Sequence, residues 1–454
     1  MVKPHALLIP YPAQGHVIPM MELMQRLVEH GIKVTFVNTD FIHNLVINAA
    51  SDDESVNDLV NLVSLPDGVE AAEDRNDLGK LTDAIFQVMP AKLEELVNKI
   101  NVNGGEKVTY IVADHCMGWA FGVAEKMKIK SAAFWPAAAV VLASLFSVPE
   151  LLENGIINGK GTPIKNEMVE LAPTMPAINP AHFSWVCIGD MKTQNDLFKL
   201  IIKANEFVKL ADHIICNSAY ELEAATFTTL PKILPIGPLL ASNRLAKQTG
   251  NFWKEDSSCL TWLDQQPPLS VIYVAFGSFT LLDSSQFHEL ALGLELTNRP
   301  FLWVVRADMV GDTTTNYLIE YMNRIHNRGR IVGWAPQQQV LSHPSVACFV
   351  SHCGWNSVLE GVNSGIPFIC WPYFADQFIN QRYISDVWNI GLELRRDESG
   401  IVSRDEIKNK IAQLVENKEY MLRVTDLKKK AKIGVSSGGH SDINLNNFID
   451  LIHE

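Results

Sequence analysis

From Trp334 to Gln377, a stretch of 44 residues, this 454-residue chain has neither a lysine nor an arginine. Other things are missing too. No stretch reaches the roughly 18 consecutive apolar residues that a membrane helix needs; the richest, SAAFWPAAAVVLASLFSV from Ser131, is interrupted by Pro136 and serines. The opening MVKPHALLIPYPAQGHVIPM has one lysine, prolines within its apolar run and no small-residue cleavage site, so it reads as mature structure rather than a leader. The seven cysteines are odd in number and scattered, which suits free thiols in a reducing cytosol better than a disulfide framework. A net charge of -13 argues against nucleic acid, whose binders concentrate lysine and arginine on one face. Neither half opens on a Gly-x-Gly-x-x-Gly turn, which disfavours a nicotinamide dinucleotide. The absence of any Asp-x-Asp removes the carboxylate pair with which many diphosphate enzymes hold a divalent ion, so no metal and no cofactor are expected. His343, Cys348, His352 and Cys353 match no usual zinc-ligand spacing.

What is present is the composition of a buried globular chain, 47% hydrophobic and 20% charged. Its length exceeds what one core organises, so two domains with a cleft between them are expected. Short apolar runs recur: ALLIPY, KVTFVN, YIVAD, SAAFWP and HIICNS, then VIYVAFGS, FLWVVR, RIVGW, ACFVSH and IPFICWP. Amphipathic helical stretches separate most of them, such as IPMMELMQRLVEHG with apolar residues at 20, 21, 24, 27 and 28 and Gly31 as its stop. Strands apolar on both faces that alternate with helices predict α/β domains built on parallel sheets. The boundaries read as 1–237 for the first domain, 238–268 for a polar, proline-containing linker and 269–435 for the second domain, with a helix over 436–454 that returns to the first.

The segment SHCGWNSVLEG (351–361) gathers an unusual mixture of polar groups. Strand ACFVSH leads through Cys353 and Gly354 into a helix expected over 356–363 and stopped by Gly365. A helix start beyond a strand end can hold a phosphate with backbone N–H groups and no formal cation. Asn356, Ser357 and His352 add side-chain donors. Glu360, one turn along the same face, is placed to accept from ribose hydroxyls. Trp334 offers a platform for a base, and Asp376 with Gln377 a carboxylate and an amide for sugar hydroxyls. That order of groups suggests a nucleotide sugar.

Residues 334–377, WAPQQQVLSHPSVACFVSHCGWNSVLEGVNSGIPFICWPYFADQ, resemble the signature box of plant UDP-dependent glycosyltransferases acting on small secondary metabolites. The likeness extends to SCLTWLDQQPPLSVIYVAFGS and PFLWVVR before it. It implies two facing Rossmann-like domains of the GT-B type, with the donor held by the C-terminal half. It further implies Trp334 on uracil, Gln337 and Glu360 at the ribose, Ser278, His352, Asn356 and Ser357 on the diphosphate, and Trp355, Asp376 and Gln377 at the sugar. Ala335 and Gly354 fall in the same donor set. The final glutamine of the box is associated in the family with glucose, so UDP-glucose is the expected co-substrate.

In the first domain LLIPYPAQGHVIPM repeats the strand, loop and helix pattern, with His16 expected just before the helix. A positive charge is disfavoured there, so His16 is expected to be neutral and able to take the proton of an attacking hydroxyl. Asp114, closing the strand YIVAD, lies at the same sheet edge and is the expected partner; on the residues alone His115 is a rival neighbour. The resemblance implies a His16–Asp114 dyad, inversion at the anomeric carbon and a β-glucoside product. An apolar acceptor pocket is expected in the first domain, with Trp135, Phe183 and Trp185 as its candidates; flavonoids, stilbenes, other phenolics and terpenoids are the acceptors the resemblance implies. A soluble, cytoplasmic monomer completes the expectation. A nucleotide-sugar epimerase or hydrolase of the same architecture, or a non-catalytic metabolite-binding protein, stands as the alternative.

Overall fold

The computed structural model describes residues 4–49, 58–70, 73, 75–103, 106–240, 250–309 and 312–454. The chain divides into two compact units. The first comprises Met1–Trp253, Phe374–Asp376 and Ile433–Glu454, and the second Lys254–Tyr373 and Gln377–Lys432.

The first unit is built on β1 (His5–Ile9), β2 (Lys33–Thr39), β3 (Val60–Leu65), β4 (Tyr110–Asp114), β5 (Lys130–Trp135), β6 (His213–Cys216) and β7 (Ile233–Pro235). These form one seven-stranded sheet ordered β3-β2-β1-β4-β5-β6-β7, and every pairing in it is parallel. Successive residues of β1 enter opposite cores: Ala6 and Leu8 pack with Met20, Met24 and Phe36, and Leu7 and Ile9 with Ile85, Met89 and Trp119. A strand apolar on both faces is what a helix-covered parallel sheet requires. The helix His440–His453 supplies Leu445, Phe448, Ile449 and Ile452 to the first of these cores.

The second unit is built on β8 (Val271–Ala275), β9 (Phe301–Val304), β10 (Gly329–Val332), β11 (Val346–Ser351), β12 (Phe368–Cys370) and β13 (Gly391–Glu393). Its six-stranded parallel sheet runs β10-β9-β8-β11-β12-β13. In both sheets the strand order reverses once, between β1 and β4 and between β8 and β11. The crevice outside the carboxyl ends of strands at such a reversal is where open α/β sheets bind ligands.

Each apolar run quoted above contains a strand. Three strands lie outside those runs: β3 is a sheet-edge strand, partly exposed and interrupted by Asn61 and Ser64, and β7 and β13 are only three residues long. Two boundaries also differ. The stretch 238–268 contains a helix, Ser258–Asp264, because Cys259 and Leu263, four apart, are both buried; residues 241–249 of that stretch lie outside the described residues. The first helix starts earlier than its apolar periodicity indicates, at Gln14, so His16 is its third residue and not a preceding one.

Candidate active site

At the reversal of the first sheet, Ile9 of β1 stands beside Ala113 of β4, so the residues following the two strands emerge together. His16, in the first turn of the helix Gln14–Glu29, meets Asp114, the last residue of β4, with Nδ1 2.7 Å from Oδ2. Asp114 is fully buried and His16 about a quarter exposed, at 26%. The other carboxylate oxygen, Oδ1, accepts the backbone N–H of Cys116 at 2.8 Å. Both acceptors of Asp114 are thereby used, which fixes the imidazole tautomer with its proton on Nδ1 and leaves Nε2 as the basic atom.

The electrostatics run opposite to the sequence expectation for His16. Burial pushes its pKa down, as a helix start also would, but the charge and hydrogen bond of Asp114, with the Asp376 carboxylate adding, raise it above 6.5. A buried carboxylate at hydrogen-bond distance outweighs the partial charge of a helix end. His115 is no rival for the dyad. It is buried, its ring packs edge-on to Trp135 at 5.4 Å and against Phe146, and burial lowers its pKa to about 4.

Among the described residues, one group of three side chains lies close enough together to hold a metal ion: His16, Asp114 and Cys116. Its chemistry favours the dyad. Burial and the Asp114 charge push the Cys116 thiol well above its usual range, away from the thiolate a metal requires, and Asp114 already spends both oxygens. His343 turns instead to Ser345 and Asp264, away from Cys348, His352 and Cys353.

At the reversal of the second sheet, Ala275 of β8 pairs with Ser351 of β11, so the turns after both strands lie side by side. The imidazole of His352 is wedged between them. A Cβ on Gly277 would sit 2.6 Å from its Nε2 and one on Gly354 2.5 Å from it, so only glycine admits the ring at either position. Gly277 also has φ +68°. Burial, with the Arg306 charge adding, lowers the His352 pKa to about 4 against a hydrogen bond to the Ala275 carbonyl, so the ring is neutral at pH 7.

The helix Trp355–Ser364 starts at this point, with Gly354 as its N-cap and no side chain capping it. No acidic residue occupies its first turn. Asn380 Nδ2 donates to the Cys353 carbonyl at 2.9 Å, and the Cys353 N–H donates to Ser351 Oγ at 3.0 Å, holding the turn open. An uncapped helix start with amides aimed outward is an anion seat.

Along the same helix, Gln337 Nε2 donates to Glu360 Oε2 at 2.6 Å and to Ser357 Oγ at 2.8 Å, while its Oε1 accepts from Tyr273 OH at 3.0 Å. Glu360 and Gln337, paired in the sequence reading, therefore meet. Tyr273, buried and stacked on Phe349, orients the amide and was not among the expected residues; its place in VIYVAFGS reads as core. Trp334 is half-buried, directly before the helix Gln337–Leu341, and Ala335 beside it is buried. Ser278 follows Gly277 in the turn after β8, and Asn356 is the second residue of the uncapped helix.

Several side chains are placed otherwise than expected. Ser357 Oγ accepts from Gln337 Nε2, because the third position of its helix faces that amide; this keeps the hydroxyl's own O–H, with the backbone N–H, as donors toward an anion. The Trp355 ring is buried near Trp388, at 6.3 Å, and leaves only its N–H at the helix start. Asp376 belongs to the first unit, within electrostatic reach of His16, whereas Gln377 belongs to the second and accepts the Tyr373 N–H at 2.8 Å. Phe183 and Trp185 stack on each other at 4.7 Å with essentially no exposed surface, so neither lines an open pocket. Trp135, also buried, is tied to the Ala138 carbonyl by its indole N–H.

A family model described as UDP-glucoronosyl and UDP-glucosyl transferase matches residues 245–432. UDP-glycosyltransferase 83A1 of Arabidopsis thaliana is 44% identical over 462 residues, covering 100% of this chain and 97% of that protein. The chain belongs to the plant family 1 UDP-glycosyltransferases. Among solved structures, Phytolacca americana UGT2, complexed with UDP-2fluoro-glucose and pterostilbene, is 27% identical with a TM-score of 0.82, covering 99% of each chain. A UDP-glucosyltransferase from Polygonum tinctorium capable of glucosylating indoxyl is 26% identical with a TM-score of 0.83, covering 100% of this chain and 99% of that one.

A UDP-glycosyltransferase transfers a glycosyl group from a UDP-sugar to a small molecule, and the two parallel-sheet α/β units of this chain are the two domains of that family's GT-B fold. No helix among the described residues is long and apolar enough to cross a membrane.

Proposed function

We propose that this UDP-glycosyltransferase is an inverting glucosyltransferase that moves glucose from UDP-glucose to a hydroxyl or carboxyl of a small apolar acceptor, giving a β-glucoside. The observation that carries the reading is the 2.7 Å contact between His16 Nδ1 and the buried Asp114 carboxylate. It makes Nε2 a base whose charged form is stabilised as soon as it takes a proton.

The acceptor O–H gives its proton to His16 Nε2 while its oxygen forms a bond to the anomeric carbon. The bond from that carbon to the diphosphate oxygen breaks, and UDP leaves with the electron pair. One displacement inverts an α-linked donor to a β-linked product. Positioning of the two substrates and stabilisation of the departing diphosphate supply the catalysis.

On the donor side, Trp334 and Ala335 take the uracil, Gln337 and Glu360 the ribose hydroxyls, and Ser278, His352 and the N–H groups of the Gly354–Ser357 helix start the diphosphate. Asp376 and Gln377 are assigned to the sugar. Gln377 ends the box with the residue that goes with glucose in the family, and the names of the Phytolacca and Polygonum relatives fit that donor. The stilbene bound to the Phytolacca enzyme, and the indoxyl that the Polygonum enzyme glucosylates, support a flat phenolic or similar acceptor. Seven free cysteines fit action in a reducing cytosol, as a monomer.

The direct test is incubation with UDP-glucose, UDP-galactose and UDP-glucuronate, each against a panel of flavonoids, stilbenes, simple phenols and terpenoid alcohols, in the presence of EDTA. UDP-glucose is expected to serve at least about tenfold better than the others by kcat/KM. Chelation is expected to leave the rate unchanged. Glucosides of α configuration by NMR, or activity abolished by EDTA, would refute the proposal.

Tyr273 provides a finer check on the ribose seat. Tyr273→Phe removes the donor that fixes the Gln337 amide and is expected to raise KM for UDP-glucose about fivefold with kcat unchanged. It is also expected to narrow the discrimination between UDP and 2′-deoxy-UDP as competitive inhibitors. An unaltered preference for the ribose hydroxyl would remove Gln337 from that role.

A further inference from the structure

We propose that Arg306 is a positioning residue of the donor seat, a buried guanidinium that brings positive charge to the diphosphate through two peptide groups and without touching it. This rests on the reading that the turn after β8 and the start of the helix Trp355–Ser364 hold the diphosphate. The 334–377 box contains no cation, yet the fold places one beneath it.

Arg306 lies two residues beyond β9, the strand beside β8, and its side chain is 1% exposed. Nη1 donates to the carbonyl of Gly277 and Nη2 to the carbonyl of Thr280 at 3.1 Å. On its other edge, Nε and Nη2 donate to the Asp308 carboxylate at 2.9 and 3.2 Å. The guanidinium thus grips both ends of the turn that carries Ser278. In a trans peptide the C=O and the following N–H point in opposite directions. Carbonyls drawn onto Arg306 therefore turn the N–H groups of Ser278 and Leu281 away from it.

Hydrogen-bonded groups in series polarise one another, so a cation on the carbonyl side strengthens the donor on the amide side. Asp308 does not cancel this. Its side chain is 53% exposed and shares its charge with water, whereas the guanidinium faces the turn from the interior. The same grip keeps Gly277 in its positive-φ conformation against the His352 ring, so Arg306 acts on both flanks of the anion seat.

Binding of UDP and of uridine, measured by calorimetry on the full chain, separates charge from shape. The unaltered protein is expected to bind UDP more tightly than uridine; equal affinities would overturn the diphosphate reading itself. Arg306→Gln is expected to weaken UDP about tenfold while uridine stays within about twofold. Parallel losses for both ligands, or no loss, would make Arg306 a purely structural residue. Asp308→Asn, at an exposed position, removes the competing carboxylate and is expected to tighten UDP about threefold with uridine unchanged. Unchanged or weaker UDP binding in that variant overturns the inference even if Arg306→Gln fails to fold.

Discussion

His16→Ala is expected to lower kcat for glucosyl transfer about a thousandfold while the dissociation constant for UDP moves by less than about twofold. The two readouts separate because His16 belongs to the first unit, whereas the residues assigned to uracil, ribose and diphosphate belong to the second. The rate falls because the attacking hydroxyl keeps its proton: water can accept it, but without the orientation that the Asp114 bond imposes on the ring. The same variant should leave slow hydrolysis of UDP-glucose nearly unchanged, since water at the anomeric carbon gains little from a base aimed at a bulkier acceptor. If kcat held within about tenfold, proton transfer would have to run through another group, and His115 is poorly suited, being buried against aromatic rings and held neutral.

The parts of this enzyme legible in its sequence are those where one short segment sets both local geometry and chemistry. The run ACFVSHCGWNSVLEG contains most of a strand, a left-handed Cys353, an N-cap glycine and the start of a helix that Gly365 stops, and the residues that form the turn are the ones that leave its amides uncapped. His16 and Asp114 could be placed at one sheet edge because each follows or ends an unmistakable apolar strand. What was not legible depends on contacts between segments far apart in the chain. The direction of the His16 shift is set by a carboxylate 98 positions away, whose distance no pattern within the QGH segment encodes. Tyr273 lies within, and Arg306 ends, an apolar run that periodicity assigns to the core, and only the folded structure shows what their polar atoms hold. Phe183 and Trp185 illustrate the converse, aromatic residues in a loop whose partners turn out to be each other.

The sharper test of the dyad is Asp114→Asn. Asp114 accepts two hydrogen bonds, from His16 Nδ1 on Oδ2 and from the Cys116 N–H on Oδ1. An asparagine has one acceptor oxygen and one donor nitrogen, so one of those contacts must fail. If the oxygen stays with the Cys116 N–H, the amide nitrogen faces His16 and draws the imidazole into the opposite tautomer, placing its proton on Nε2 where the base must be empty. A loss of roughly a hundredfold or more in kcat is expected on that ground. The pH profile supplies a second, independent signature. In the unaltered enzyme the Asp114 charge helps hold the His16 pKa above 6.5, so kcat/KM should fall as pH drops through that raised value and the imidazole becomes occupied. Removing the carboxylate charge leaves burial pushing downward with only Asp376 opposing it, so the acid limb of the variant should move to lower pH. A group that merely supported the fold would lower the plateau and leave the limb where it was, and an acid limb that stayed put in Asp114→Asn would therefore break the link between this carboxylate and the base.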